Sequence, residues 1–423
     1  MDLFGKFELL APLAYGGMGE IFLARQRGVA GIERLVVVKR ILPHLAQQPQ
    51  FVEMFLDEAR VAALLDHPNI VPIYDIGHVE GSYFIAMPYV TGLSLRKLMQ
   101  AAMDREIPIP LDACCSILLQ ALAGLHYAHE RTTVAGKPLN VVHRDVSPSN
   151  LMVEEQGRVL LLDFGVAKAT NQVRRETETS SVKGKLTYMS PEQCRGENLD
   201  RRSDLFSLGI IAHELVSGRR LFRRKTEYLV FRAITDDPIA DPRELRPDLP
   251  AGVAAVILQA LEREAGARFA TAEQMRLELQ QAVRYAGLSE DPVHLGRFVA
   301  ESFADLLQEQ REVVLQVREQ DGTVATAEEP TRTVGTGSLS RGDWVESAPS
   351  VRSEPAPAAP AGHRWLLVGI SAGLLVLAAG LFVVLGWLGP ALHGPPLRLG
   401  VAPYLPADVL RRDLAPLEGY LER

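Results

Sequence analysis

The stretch from Val142 to Asn150 reads Val-His-Arg-Asp-Val-Ser-Pro-Ser-Asn and sets a carboxylate, Asp145, five residues before an amide, Asn150. Thirteen residues after Asn150 comes a second carboxylate, in Asp163-Phe164-Gly165, behind the apolar run Val159 to Leu162. Carboxylate, amide and carboxylate at this spacing suit a loop that offers a nucleoside triphosphate one proton acceptor and two metal ligands. In that chemistry Asp145 lies near the attacking hydroxyl, while Asn150 and Asp163 hold magnesium on the phosphates. His-Arg-Asp alone is common by chance; its combination with the later Asn and Asp-Phe-Gly is not.

Such side chains need a frame. Upstream, Phe7 to Ala11 and Glu20 to Arg25 read as strands around a turn, Tyr15-Gly16-Gly17-Met18-Gly19. Glycines there permit positive φ and let backbone N–H groups approach phosphate oxygens. Leu35 to Lys39 is a β-branched strand whose final lysine would, by itself, be a solvated terminus. A helix from about Gln50 to Leu65 carries Glu58, with Leu56, Ala59, Ala63 and Leu64 at core-facing spacing. Tyr83 to Met87 is a further strand, and Leu111 to Glu130 a long apolar helix leading into the Asp145 loop.

Together these stretches resemble the protein kinase family, and within it the bacterial eukaryotic-like Ser/Thr kinases of single-pass transmembrane receptor type. The resemblance implies an α+β, two-lobed fold over residues 1–287, with a small, mainly β lobe to about 88 and a large, mainly α lobe from 89. It implies ATP with magnesium or manganese, and transfer of phosphate to Ser/Thr hydroxyls of protein substrates. Ala14, Gly16, Gly19 and Ile21 occupy the positions of the family's G-x-G-x-x-G-x-V, with Gly17 inside the same phosphate-binding turn; Ala14 departs from the first glycine. Lys39 matches the lysine that grips the α/β-phosphates and Glu58 its ion-pair partner, at the head of E-A-x-x-x-x-x-L-x-H-P-N-I-V. Met87-Pro88-Tyr89-Val90 matches the interlobe hinge, where the Pro88 carbonyl and Val90 N–H would meet adenine, between Ile21 and Val37 above and Met152 below.

Beyond Asp163, the polar segment Ala167 to Lys183 matches a mobile activation segment. A phosphate on Thr177 or Thr179, or next on Ser180 or Ser181, would satisfy Arg144; a merely solvated loop is the plainer alternative. Tyr188 to Glu192 resembles the family's A-P-E close. Asp204 matches the acid that braces the catalytic loop, and Arg268 the ion-pair partner of Glu192.

Two positions depart together. Ser147 stands where a Ser/Thr kinase carries lysine, and Lys185 where threonine is usual. In the family fold those positions touch, so Lys185 is expected to supply the catalytic cation that Ser147 cannot, the alternative being tolerated drift with reduced activity. A pseudokinase that binds nucleotide and docks partners is the competing function. Ala14 and Ser147 favour it, and the presence of Lys39, Glu58, Asp145, Asn150 and Asp163 opposes it.

A net charge of −7 with 23% charged residues gives no nucleic-acid signature. Cys114, Cys115 and Cys194 lack metal-ligand spacing, so burial in a reducing compartment is expected. The N-terminus lacks the pattern of a cleavable signal peptide. After the kinase, residues 288–318 read as one apolar-faced helix (Leu295, Phe298, Val299, Phe303, Leu306, Leu307, Val313, Val314, Val317) that packs on the large lobe or, less simply, on a second copy. Residues 319–364 read as a flexible tether. Residues 365–388, uncharged and flanked by Trp365 and Trp387, are long enough to span a bilayer. Gly369-x-x-x-Gly373 would allow close helix pairing, and so a homodimer, although such spacing is common in membrane spans. ATP dependence places the kinase in the cytoplasm and the tail, 389–423, outside. That tail resembles the opening β–α unit of a phosphate/phosphonate periplasmic binding protein. One β–α unit cannot form a core, so the tail is either a remnant or the start of a truncated sensor domain, which would bind an external small ligand.

Overall fold

The computed structural model describes residues 2–16, 19–27, 33–133, 135–164 and 186–322, the last seven as backbone only. Gly17, Gly165, Thr177, Thr179, Ser180, Ser181 and Lys185 lie outside the described residues, as do the tether from 323, the expected membrane span and the tail.

The small lobe is an antiparallel six-stranded sheet of β1 (Asp2–Phe4), β2 (Phe7–Tyr15), β3 (Gly19–Arg27), β4 (Glu33–Ile41), β5 (Asp75–Val79) and β6 (Ser82–Pro88), in the order β1-β2-β3-β4-β6-β5. Strand alternation divides β4 cleanly. Val36 and Val38 are fully buried beneath the sheet, while Val37 and Lys39 share the other face, half-buried at the interlobe cleft. Phe84 meets Phe4 and Phe7 edge-on at ring separations of 5.7 and 5.3 Å on the buried side, each pair adding about 0.5–1.5 kcal/mol beyond area burial.

Helix α1 (Pro49–Ala62) begins with a proline at its first position, where a missing N–H is harmless. Its phase differs from the sequence expectation. Phe51, Phe55, Glu58 and Ala59 are buried, Leu56 is half-buried, and Ala63 and Leu64 are exposed beyond the helix end. Glu58 faces inward as its pairing with Lys39 requires, and Ala59 with it, but the apolar part of that face is Phe51 and Phe55 rather than Ala63 and Leu64.

The large lobe is helical: α2 (Leu95–Asp104), α3 (Leu111–His129), α4 (Pro191–Arg195), α5 (Arg201–Ser217), α6 (Glu227–Thr235), α7 (Ala251–Ala260) and α8 (Ala272–Tyr285). A small sheet of β7 (Gly92–Ser94), β8 (Leu151–Glu154) and β9 (Val159–Leu161) lies on it. Among the described residues α3 is the one helix long and apolar enough to cross a membrane, yet most of it is buried in the lobe core. Cys114 and Cys115 are buried there, and burial pushes both thiols up to about 12, so they are unreactive. Helix α5 is buried almost all round, opens on an Asp200 cap that accepts from the Arg202 N–H, and ends at Gly218 with φ 66°.

The segment after Gly287 is not one helix. It breaks at Phe303 (φ −133°) into α9 (Pro292–Ser302) and α10 (Ala304–Gly322). The bend lets Leu295 and Val299 from one helix, Phe303 from the corner and Leu307 from the next all enter the large-lobe core. Packing is therefore in cis. Val313 is 41% exposed, and α10 runs on through residues 319–322, where a tether was expected to begin. The extension also presses on the β8–β9 turn: a Cβ on Gly157 (φ +86°) would lie 1.9 Å from the Pro292 carbonyl oxygen.

Candidate active site

The glycine turn between β2 and β3 closes with the Gly16 N–H donating to the Gly19 carbonyl at 2.8 Å. A side chain at Gly19 would meet the Arg40 carbonyl oxygen at 2.7 Å, so the close approach of β3 to β4 requires glycine there. Register sets Ala14 opposite Ile21 and Ile21 opposite Lys39. Ile21, Val37 and Met152 are each half-buried, as side chains lining an open cleft should be. At its far edge β6 ends on Pro88, paired with Val36, and Tyr89 and Val90 continue half-buried toward β7.

Lys39 links the two lobes. Its Nζ lies 2.6 Å from Glu58 Oε1 on α1 and 3.1 Å from Asp163 Oδ1. Burial works against the ammonium charge, but Asp163 and then Glu58 outweigh it, so the Lys39 pKa rises and the side chain stays charged. Burial presses the Glu58 carboxyl upward, Lys39 pulls it back, and Asp163 and Asp145 add to the upward push.

The Asp145 loop is held from beneath by Asp204 at the start of α5. Its carboxylate accepts from the backbone N–H groups of His143 and Arg144, both at 2.8 Å, and contacts His129 Nε2 at 2.8 Å. Two backbone bonds on one carboxylate pin the loop in a strained shape, with Arg144 at φ 64°. His143 donates from Nε2 to the Leu162 carbonyl at 2.9 Å, and its Nδ1 accepts from the Asp145 N–H at 3.3 Å. That pattern fixes a neutral imidazole, and burial lowers its pKa accordingly. Phe164 is buried against the His143 ring at 4.6 Å, which turns the neighbouring Asp163 (φ 45°) toward Lys39.

Asn150 donates from Nδ2 to the Asp145 backbone oxygen at 2.8 Å and to Asp145 Oδ2 at 3.1 Å, which leaves Oδ1 as its acceptor. Among the described residues no three His, Cys, Asp or Glu side chains converge, so the protein alone forms no closed metal cage. Two oxygens, from Asn150 and Asp163, are the kind of partial set magnesium uses when phosphates and water complete the shell. Glu58 and Asp163 on a single ammonium also leave surplus negative charge that a divalent cation offsets. The residues fit a metal–nucleotide pair.

Around this centre, Glu192 and Arg268 form a bidentate buried pair at 2.7 and 2.9 Å, with the Ser203 hydroxyl donating to the same carboxylate at 2.6 Å. Ser147 Oγ and Arg144 Nε are buried without a partner among the described residues. Three positioning residues have no role in the sequence reading: Asn69 donates to the Val159 carbonyl, Gln120 accepts from the Val159 N–H, and Gln193 donates to the Arg144 carbonyl. Two of them had a readable signal: Asn69 lies in the His67-Pro68-Asn69-Ile70-Val71 run, and Gln193 in the Ser190-x-x-Gln193 capping box that opens α4.

The family model described as "Protein kinase domain" matches residues 7–278. Tyrosine-protein kinase MasK of Myxococcus xanthus is 39% identical over 418 residues, covering 91% of this chain and 65% of MasK. Serine/threonine-protein kinase PknB of Mycobacterium leprae is 34% identical over 279 residues, covering 65% of this chain and 42% of PknB. The chain thus spans less than two thirds of either relative. The crystal structure of the M. tuberculosis PknI kinase domain superposes with a TM-score of 0.51 at 27% identity, covering 67% of this chain and 98% of that one.

Proposed function

Because the chain belongs to the protein kinase family, whose members use ATP and a divalent metal, we propose that it phosphorylates protein Ser/Thr hydroxyls in membrane-linked signalling. The observation that carries the reading is the contact of Lys39 with both Glu58 and Asp163, which joins small-lobe and large-lobe machinery in one cleft.

Asp145 takes the proton of the acceptor hydroxyl as its oxygen bonds to the γ-phosphorus and the bond to the β–γ bridging oxygen breaks, releasing ADP. Asn150 Oδ1 and Asp163 would hold magnesium, which would offset charge on the phosphates. Lys39, kept charged, holds the α/β-phosphates; the turn at Gly16, Gly17 and Gly19, with Ala14, covers them. The Pro88 carbonyl and Val90 N–H take the adenine edge between Ile21, Val37 and Met152. Lys185 supplies the cation missing at Ser147, and Thr177 or Thr179 is phosphorylated to engage Arg144. Residues 365–388 anchor the kinase on the cytoplasmic side of a membrane.

A second reading, phosphorylation of tyrosine, is favoured by the name given to MasK and by Ser147, which removes the lysine expected of a Ser/Thr enzyme. The test is phosphoryl transfer from ATP by the full chain and by Asp145→Asn, with phosphoamino-acid analysis and mass spectrometry of residues 165–185. Phosphoserine or phosphothreonine, reduced about 10²–10⁴-fold in the variant, supports the first reading; phosphotyrosine supports the second. Nucleotide binding without transfer overturns both and leaves a docking scaffold.

A further inference from the structure

The loop between α5 and α6 carries Arg219, Arg220, Arg223, Arg224 and Lys225 within seven positions, and α6 adds Arg232, in a chain whose net charge is −7. Phe222 is buried in the large-lobe core and pins this loop, so its neighbours are held outward; Arg219, Arg223, Arg224 and Lys225 are all exposed. Internal carboxylates answer only part of that charge. Arg220 lies 2.9 Å from Glu214, while Arg224 and Arg232 share Asp237 at 3.4 and 3.9 Å. The adjoining turn of α6 sets large apolar side chains in water: Tyr228 is 72% exposed, Phe231 42% and Leu229 38%, while Val230, Ala233 and Ile234 face the core. Cations beside aromatic rings form a surface suited to an acidic, partly apolar polypeptide.

Its position gives that surface a use. Arg220 contacts the Tyr188 hydroxyl, which donates to Glu214 at 2.7 Å, and Ser207 Oγ donates to the Tyr188 carbonyl at 2.7 Å. Five residues on, Gln193 holds the Arg144 carbonyl, next to Asp145. The basic loop is therefore tied to the same stretch of chain that abuts the catalytic loop. Glu214, the carboxylate at this point, is buried and engaged by both Arg220 and Tyr188, so it offers nothing to a basic substrate.

We infer that the α5–α6 loop and the exposed face of α6 dock acidic segments of the protein substrate. Carboxylates near the acceptor hydroxyl meet Arg219, Arg223 and Lys225, and apolar side chains lie on Tyr228 and Phe231. This deepens the proposed function and rests on it. A protein partner fits better than an anionic lipid surface because the patch is tied to the chain that brings an acceptor to Asp145.

The test uses the full chain and two labelled peptides, each with one serine, followed in one by a run of glutamates and in the other by a run of lysines. Binding is read by fluorescence anisotropy and transfer by incorporation of labelled phosphate. The expected result is binding of the acidic peptide at least about tenfold tighter than the basic one at low salt, weakening as salt rises. The variant Arg223→Glu/Arg224→Glu/Lys225→Glu should reverse that order without altering affinity for an ATP analogue, and Tyr228→Ala/Phe231→Ala should weaken the acidic peptide. Equal binding of both peptides, or an unchanged order in the triple variant, overturns the inference. So does a triple variant that loses only association with phosphatidylglycerol vesicles. Tight acidic binding without transfer upholds the docking surface while refuting the proposed phosphorylation, so the two failures are separable.

Discussion

Replacing Lys39 by methionine should do more than abolish transfer: it should make stability depend on pH in a new way. Lys39 is the cation within 2.6 Å of Glu58 and 3.1 Å of Asp163. With it gone, burial, Asp163 and Asp145 still press the Glu58 carboxyl upward and its opposing pull is lost. Removing one partner of a buried pair typically destabilises by about 3–5 kcal/mol. Glu58 can relieve part of this by staying protonated in the folded state. Above its ordinary value of 4.5 the unfolded chain then releases a proton that the folded chain keeps. Folded protein binds more protons in that window, so stability falls as pH rises, by at most about 1.4 kcal/mol per pH unit for one group. Urea unfolding of Lys39→Met and of the unaltered chain between about pH 5.5 and about pH 7.5 should show the deficit widening by up to about 2.7 kcal/mol. Adding Glu58→Gln, which cannot ionise, should flatten that trend. A deficit independent of pH, or one unaffected by Glu58→Gln, would refute the argument that Glu58 is the buried charge Lys39 neutralises.

Two further outcomes follow from the packing around the site. Arg268→Ala leaves Glu192 and its Ser203 partner in a buried position with no cation, so denaturant unfolding should show a loss of about 3–5 kcal/mol, and Glu192→Gln in the same chain should recover part of it. Burial lowers His143 and His213 from 6.5. Below that value the unfolded chain takes up protons the folded chain refuses, so stability is lost as pH falls. The expected slope is up to about 1.4 kcal/mol per pH unit for each histidine, measured by thermal or urea unfolding from neutral pH downward.

What was legible in the sequence was the chemistry rather than the scaffold. Lys39, Glu58, Asp145, Asn150, Asp163, Asp204, Glu192 and Arg268 could be picked out because the tasks proposed for them suit few residue types and their motifs restrict the spacing. The structure brings Lys39, Glu58 and Asp163 together from separate elements and closes the Glu192–Arg268 pair. The face of α1 was legible only in part: Glu58 and Ala59 point inward as read, but Phe51 and Phe55 complete the buried face and Ala63 and Leu64, counted toward the core, are exposed past the helix end. The bend at Phe303 was not legible either: no glycine or proline marks it, and it exists because two helices must reach one core. Gln120 escaped notice because a single amide that satisfies backbone groups has no periodicity, and Asn69, though inside the His67-to-Val71 run, gave no hint that it would hold the Val159 carbonyl.

The same extension reaches the hinge. Gln310 on α10 accepts from the Gly92 N–H at 3.0 Å and hydrogen-bonds the Tyr89 side chain, while Asp305 takes Arg105 in a two-pronged contact at 2.6 and 3.0 Å. This imposes an order on synthesis. The small-lobe sheet is complete once Pro88 has emerged, but the large-lobe core waits for Leu295, Val299, Phe303 and Leu307. At about 5–20 residues per second, the interval between making β9 and making Leu307 is roughly 7–30 s. For that time an apolar surface built from α3 and the small sheet lacks its final cover. The large-lobe core is therefore closed only late in translation, well after Asp145, Asn150 and Asp163 have been made.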